Sequence, residues 1–86
     1  MSVDESISRA ILRTLAECGP GRALRLDPLT TYANGSLASY AGRDVVQGAL
    51  NDLELRGLVR KEASPLNPSV YSWSITAAGQ AIDATL

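Results

Sequence analysis

The chain has 86 residues, 45% of them hydrophobic and 20% charged, the proportions of a globular fold rather than a disordered segment. A chain of this length buries only about 60–65% of its unfolded surface, which leaves room for one small core and little for a deep catalytic cleft. His is absent, Cys18 is the lone cysteine and the formal net charge is −1. The missing His removes the commonest general base, and with a single Cys it removes zinc as well. An internal disulfide is excluded, and a reducing compartment such as the cytoplasm is expected. No apolar run approaches the roughly 18–20 residues of a membrane span, and the acidic Met1–Ser6 segment is unlike the basic start of a secretory signal. We expect one domain over residues 1–86, with no metal and no cofactor.

The first helix is predicted from about Asp4 to Cys18. Val3, Ile7, Ile11, Leu15 and Cys18 form an apolar stripe widened by Ala10 and Leu12, with Arg9 and Arg13 on the wet face. Ser2 with Glu5 fits a capping box, and Gly19-Pro20-Gly21 stops the helix. Arg22 to Leu26 alternates as a short extended piece. Asp27-Pro28 then reads as N-cap and first helical residue of a short second helix with Leu29, Tyr32 and Ala33 inward, ending at Asn34-Gly35. Ser36 to Gly42 is a turn in which Leu37, Tyr40 and Ala41 have helical spacing.

A third helix is predicted over Arg43 to Arg56, with Val46, Ala49 or Leu50, Leu53 and then Leu58 buried, and Asp44, Gln47, Asn51, Glu54 and Arg56 on the wet side. Gly42 precedes it and Gly57 closes it in a left-handed conformation. Gly48 in mid-helix costs up to about 1 kcal/mol relative to Ala, which suggests close approach of another backbone. Leu58 to Glu62 is extended, Ala63 to Ser69 is a loop, and Val70 to Ile75 alternates as a half-buried strand with Tyr71, Trp73 and Ile75 on one face. Thr76 caps a last helix from Ala77 to Leu86 with Ala78, Ile82 and Leu86 on its apolar side.

In this order of elements, the stretch from Ala49 to Lys61 (ALNDLELRGLVRK) resembles the end of the recognition helix entering the wing in the winged helix-turn-helix family. Tyr71 to Gly79 (YSWSITAAG) is similar to the second wing strand and the Thr-x-x-Gly opening of the closing helix in MarR-like and PadR-like regulators. The resemblance implies an α+β, mainly α fold: a three-helix core, a two-stranded wing and a C-terminal helix. One departure is the segment from Asn34 to Gly42, longer than the tight turn usual in the family.

The family role would place helix 43–56 in the major groove of double-stranded DNA as part of a transcriptional regulator, with residues 58–76 as the wing. By position, Arg43, Asp44, Gln47 and Asn51 would face the groove. Arg43 would reach guanine or a phosphate and Gln47 adenine. Arg60 and Lys61 would meet backbone phosphates, and Tyr40 would either donate to a phosphate or pack under the third helix. Against this stands the charge, eight basic residues to nine acidic ones, with Asp44, Asp52 and Glu54 on the reading helix and no charge at the wing tip. The same scaffold can instead serve as a protein-interaction module, of the kind found in phage-type accessory or inhibitor proteins, that does not bind DNA. An enzyme is not expected: the only Lys is Lys61, the acids form no convincing pair, and Cys18 sits on an apolar stripe as a structural thiol does. Small winged domains often dimerise through terminal helices, so a homodimer is expected, with Ala77, Ala78, Ala81 and Ala84 permitting close approach beside Ile82 and Leu86.

Overall fold

The computed structural model describes residues 3–19, 21–35, 37 and 40–85. Helix α1 spans Val3–Cys18 and buries Ile7, Ala10, Ile11, Leu12 and Leu15, the stripe its sequence predicts. Cys18 at its end is half-buried and forms no disulfide. Gly19 stops the helix at φ +97 and Gly21 turns the chain at φ +83, conformations that a Cβ disfavours. The Ser2–Glu5 capping box, the Val3 side chain and Pro20 fall outside the described residues, as do Ser36, Leu86 and residues 38–39 of the turn.

Strand β1, Leu24–Arg25, leads directly into α2, Leu26–Asn34, whose N-cap is Arg25. The expected start at Asp27 is therefore corrected: Asp27 and Pro28 occupy the second and third helical positions. Proline is tolerated there because first-turn N–H groups have no intrahelical acceptor to lose. Starting earlier, the inward stripe runs Leu26, Leu29, Thr30, Ala33. Thr30 is buried and satisfies its hydroxyl on the Leu26 carbonyl at 2.7 Å, whereas Tyr32, expected inside, is 62% exposed.

Helix α3 spans Arg43–Leu55 with Gly42 as N-cap. Its inner face is Val46, Leu50 and Leu53, as read from the sequence. The C-terminus is a Schellman motif: Leu58 N–H donates to the Leu53 carbonyl at 3.0 Å and Gly57 N–H to Glu54 at 3.0 Å, with Gly57 at φ +76. That reversal starts β2, Val59–Ala63, which pairs antiparallel with β3, Tyr71–Ile75. β1 pairs with the other edge of β3, so the sheet order is β1-β3-β2, one strand more than the expected ribbon. Trp73 and Ile75 are buried while Tyr71, on the same face but beyond the core, is 42% exposed.

Helix α4, Ala77–Thr85, is tied to the α3–β2 junction at three points. Thr76 N–H donates to the Leu58 carbonyl at 3.2 Å, and the Thr76 hydroxyl donates to the Gly57 carbonyl at 2.7 Å. The same hydroxyl accepts from Gly79 N–H at 3.1 Å, the N-cap role expected of it. Gly79 rests on the Leu58 carbonyl so closely that a Cβ would overlap the oxygen. This approach sets the rotation of α4, and the buried residues are Gly79 and Asp83. Ala78 and Ile82, expected on the apolar side, are exposed. Asp83 pairs inward with Arg13 of α1 at 3.5 Å. Ile11, Leu15, Leu29, Val46, Leu50 and Leu53 make up the centre where the first three helices meet, and Trp73 and Ile75 close it from the sheet. No helix among the described residues is long and apolar enough to cross a membrane.

Candidate nucleic-acid interface

Three inward side chains on α3 decide what faces out. With Val46, Leu50 and Leu53 locked in the core, Arg43, Asp44, Val45, Gly48, Asn51, Asp52 and Leu55 are exposed. Gly48 has nothing within 4 Å of where a Cβ would stand. The close backbone approach expected of it is absent among the described residues, and the glycine simply leaves the outer surface of the helix bare. Gln47 is half-buried on the flank of this face and donates from Nε2 to Asn51 Oδ1 at 3.0 Å, so these two candidates act as one unit a helical turn apart. Asp44 projects without an ion pair among the described residues.

The approach to α3 is held by Asn34, which the sequence marks only as a helix end. Its amide accepts from Ala41 N–H at 2.6 Å and donates to the Ala41 carbonyl at 2.9 Å and the Thr30 carbonyl at 2.8 Å. One side chain thus clamps the two ends of the long turn, and Ala41 beside it is buried. This explains how a segment longer than the usual turn still delivers α3 in place. Asn in a turn context was the available signal, but its partner seven residues on was not. Tyr40, just before the clamp, is 79% exposed, which rules out the packing role under α3 and leaves its hydroxyl on the surface near the N-terminus of α3.

In the hairpin, Arg60 and Lys61 are adjacent and therefore point to opposite faces. Lys61 is opposite Trp73 in register, and its ammonium lies 4.8 Å from the Tyr71 ring centroid, a cation–π contact. Arg60 is on the other face with Glu62, 3.4 Å away. Between α3 and the hairpin runs a groove lined by Arg25, Asp27, Arg43, Gln47, Tyr71 and Trp73. The structure thus brings Arg43 and Gln47 to the side of the wing that carries Lys61, and sets Arg60 apart from them. The tip beyond is ordered by Asn67, whose Oδ1 accepts from the Ser69 N–H and hydroxyl at 3.2 and 2.7 Å, and Leu66 there is 97% exposed.

Much of the positive charge is already matched by carboxylates. Arg43 pairs with Asp27 at 2.7 Å, Arg56 with Asp52 at 3.0 Å and Arg60 with Glu62 at 3.4 Å. Arg25 and Asp27 carry no sequence signal for this site: the sequence suggests a short strand for Arg25 and a cap for Asp27, and neither role points to α3.

A helix–turn–helix (α2, α3) followed by a hairpin whose central strand also pairs with a strand before α2 is the winged helix-turn-helix architecture. The chain shares this fold with solved MarR-family regulators. It is similar to a MarR-family transcriptional regulator from Silicibacter pomeroyi, with 21% identity and a TM-score of 0.76 over 93% of this chain and 47% of that one. It is similar to ZitR from Lactococcus lactis, with 20% identity and a TM-score of 0.73 over 95% and 55%. A third is BpsR from Bordetella bronchiseptica, a protein whose DNA binding is regulated by 6-hydroxynicotinic acid, with 16% identity and a TM-score of 0.77 over 99% and 52%. The chain spans about half the length of these structures. No protein-family model and no curated protein matches the sequence.

Proposed function

We propose that this protein is a winged-helix DNA-binding protein acting in transcription regulation, with α3 in the major groove and the β2–β3 hairpin along the flanking backbone. The observation that carries this reading is the orientation of α3. Val46, Leu50 and Leu53 turn inward, so Arg43, Asp44 and Asn51 stand out together on the outer face of the helix, beside the exposed Val45 and Leu55, on a fold that regulators share. Arg43 would reach guanine or a phosphate, the Gln47–Asn51 pair an adenine edge, and Asp44 a cytosine amino group. Lys61 on the groove side, Arg60 on the far side of the wing and the Tyr40 hydroxyl would meet phosphates. The exposed row of Ala77, Ala78, Ala81, Ile82 and Ala84 on α4 is the surface on which a second copy would pack. A homodimer, working in the cytoplasm, would double the basic side chains presented to one duplex. Light scattering at about 100 μM reads this directly, since association is driven by mass action.

The test is fluorescence anisotropy with a random-sequence duplex across salt concentrations. Binding should weaken as salt rises, with a log–log slope of about −2 to −3 per protomer if Arg43, Arg60 and Lys61 each neutralise a phosphate. Arg43→Ala should cost about 1–3 kcal/mol on a preferred duplex. No binding at about 50 mM salt, where counterion release favours association, would overturn the proposal in favour of a protein partner. The ion-paired arginines and the uncharged wing tip with its exposed Leu66 are the features that such a partner would use.

A further inference from the structure

Arg43 is the first residue of α3 and Asp27 the second helical residue of α2, and their side chains meet across the turn with Nε 2.7 Å from Oδ1. The pair is open to water, with the side chains 65% and 71% exposed. Such a pair contributes little to folding, so stability does not account for a short contact at this position. The chemistry of the contact is more specific. Nε is the guanidinium nitrogen nearest the stem, and a carboxylate on that side engages at most Nε–H and one neighbouring N–H. A guanidinium has five N–H donors in a planar fork, so the end of the fork, which carries both terminal amino groups, stays available for a second acceptor pair. Guanine O6 and N7 are such a pair. The other arginine pairs of α3 and the wing are local, Arg56 at the C-cap of α3 on Asp52 one turn back and Arg60 on Glu62 along β2, and orient nothing across the turn.

We infer that Asp27 is a positioning residue for base recognition: it grips Arg43 through Nε and holds the end of the guanidinium fork for a guanine edge in the major groove. This deepens the DNA-binding reading and rests on it. Asp27 acts in two directions. It removes the rotational freedom that a long side chain otherwise loses on binding, which favours the bidentate contact. Its negative charge also competes with phosphates for the same guanidinium and repels the backbone nearby, which lowers affinity for unrelated duplexes. Both effects raise the ratio of specific to non-specific binding.

The experiment is selection from a pool of random duplexes, followed by titration of the selected duplex, its guanine-to-adenine version and an unrelated duplex. Wild type, Arg43→Ala, Asp27→Ala and Asp27→Glu are compared, with thermal melts confirming that each is folded. The wild type should require a guanine that Arg43→Ala no longer distinguishes. Asp27→Ala should lower the guanine-over-adenine ratio about fivefold or more while binding the unrelated duplex severalfold more tightly, and Asp27→Glu should recover part of the ratio. An unchanged ratio in Asp27→Ala overturns the inference. A selected site without a guanine that depends on Arg43 also overturns it, as does a parallel loss of affinity for all three duplexes, the mark of a merely structural tie. A wild type that binds no duplex overturns the DNA-binding reading as well, whereas a wild type that binds with Asp27→Ala unaltered overturns this inference alone.

Discussion

Helices α3 and α4 are both amphipathic in sequence, yet they are seated by different means. α3 is held by side chains: Val46 and Leu50 are 0% exposed and Leu53 2%, a stripe at spacings of four and three that large hydrophobes alone can enforce. α4 is held by backbone and polar groups. Thr76 bridges Gly57 and Gly79, Gly79 sits on the Leu58 carbonyl, and Asp83 reaches Arg13. The lesson is that the residue facing inward need not be the most hydrophobic one. A glycine whose neighbour is a carbonyl oxygen can outrank isoleucine, because the available gap admits nothing larger.

The largest expected effect tests the side-chain half of the comparison. Leu50→Ala removes a fully buried leucine from the point where α3 meets α1 and α2, and should destabilise the fold by about 2–5 kcal/mol in a denaturant titration. For a chain of this size that is a large part of the total stability, and much of the population would unfold at 37 °C. A loss well under that range would mean that α3 is seated by its caps rather than by its stripe.

Gly79→Ala tests the other half. The added methyl would meet the Leu58 carbonyl and the Ile75 side chain. Backbone on one side cannot yield as a flexible side chain can, so α4 must shift outward. We expect a cost of about 1–3 kcal/mol, although Ala is a better helix former than Gly, and the sign alone is diagnostic. A stabilised variant would show that the rotation of α4 is set elsewhere, by Asp83 and Arg13.

The same contrast explains what could be read from the sequence. The elements stood out wherever large apolar residues kept a regular spacing, in α1, α3 and the Trp73–Ile75 end of β3, and wherever a glycine had to reverse the chain, as at Gly57. The inward face of α2 is legible at Leu29 and Ala33 but not at Tyr32, and that of α4 not at Ala78 or Ile82, because each face also depends on a polar or missing side chain. Thr30 can be buried only because its hydroxyl returns to the Leu26 carbonyl, and Gly79 only because Leu58 lies across from it. The candidate interface was legible at α3, where position on the helix decides exposure. It was not legible at Asn34 and Asp27, since what matters about them is their partners, Ala41 and Arg43, which only the folded turn brings near.

Gly48 offers the smallest effect and the opposite sign. It lies in the middle of α3 on the outer face, φ is ordinary, and a Cβ there meets nothing within 4 Å. Replacing it with Ala should stabilise the fold by up to about 1 kcal/mol, from helix propensity and a less flexible unfolded chain. On a domain of this size that raises the melting temperature by about 4–8 °C per kcal/mol. The same variant separates the two uses of a bare helix surface. Gly48 lies within a turn of Asp44, Gln47 and Asn51, so a methyl there stands between those side chains and whatever they contact. A duplex seated on this face should bind Gly48→Ala more weakly although the protein itself is more stable. Equal affinity on a more stable protein would put the contact surface elsewhere and leave the glycine with no role in recognition.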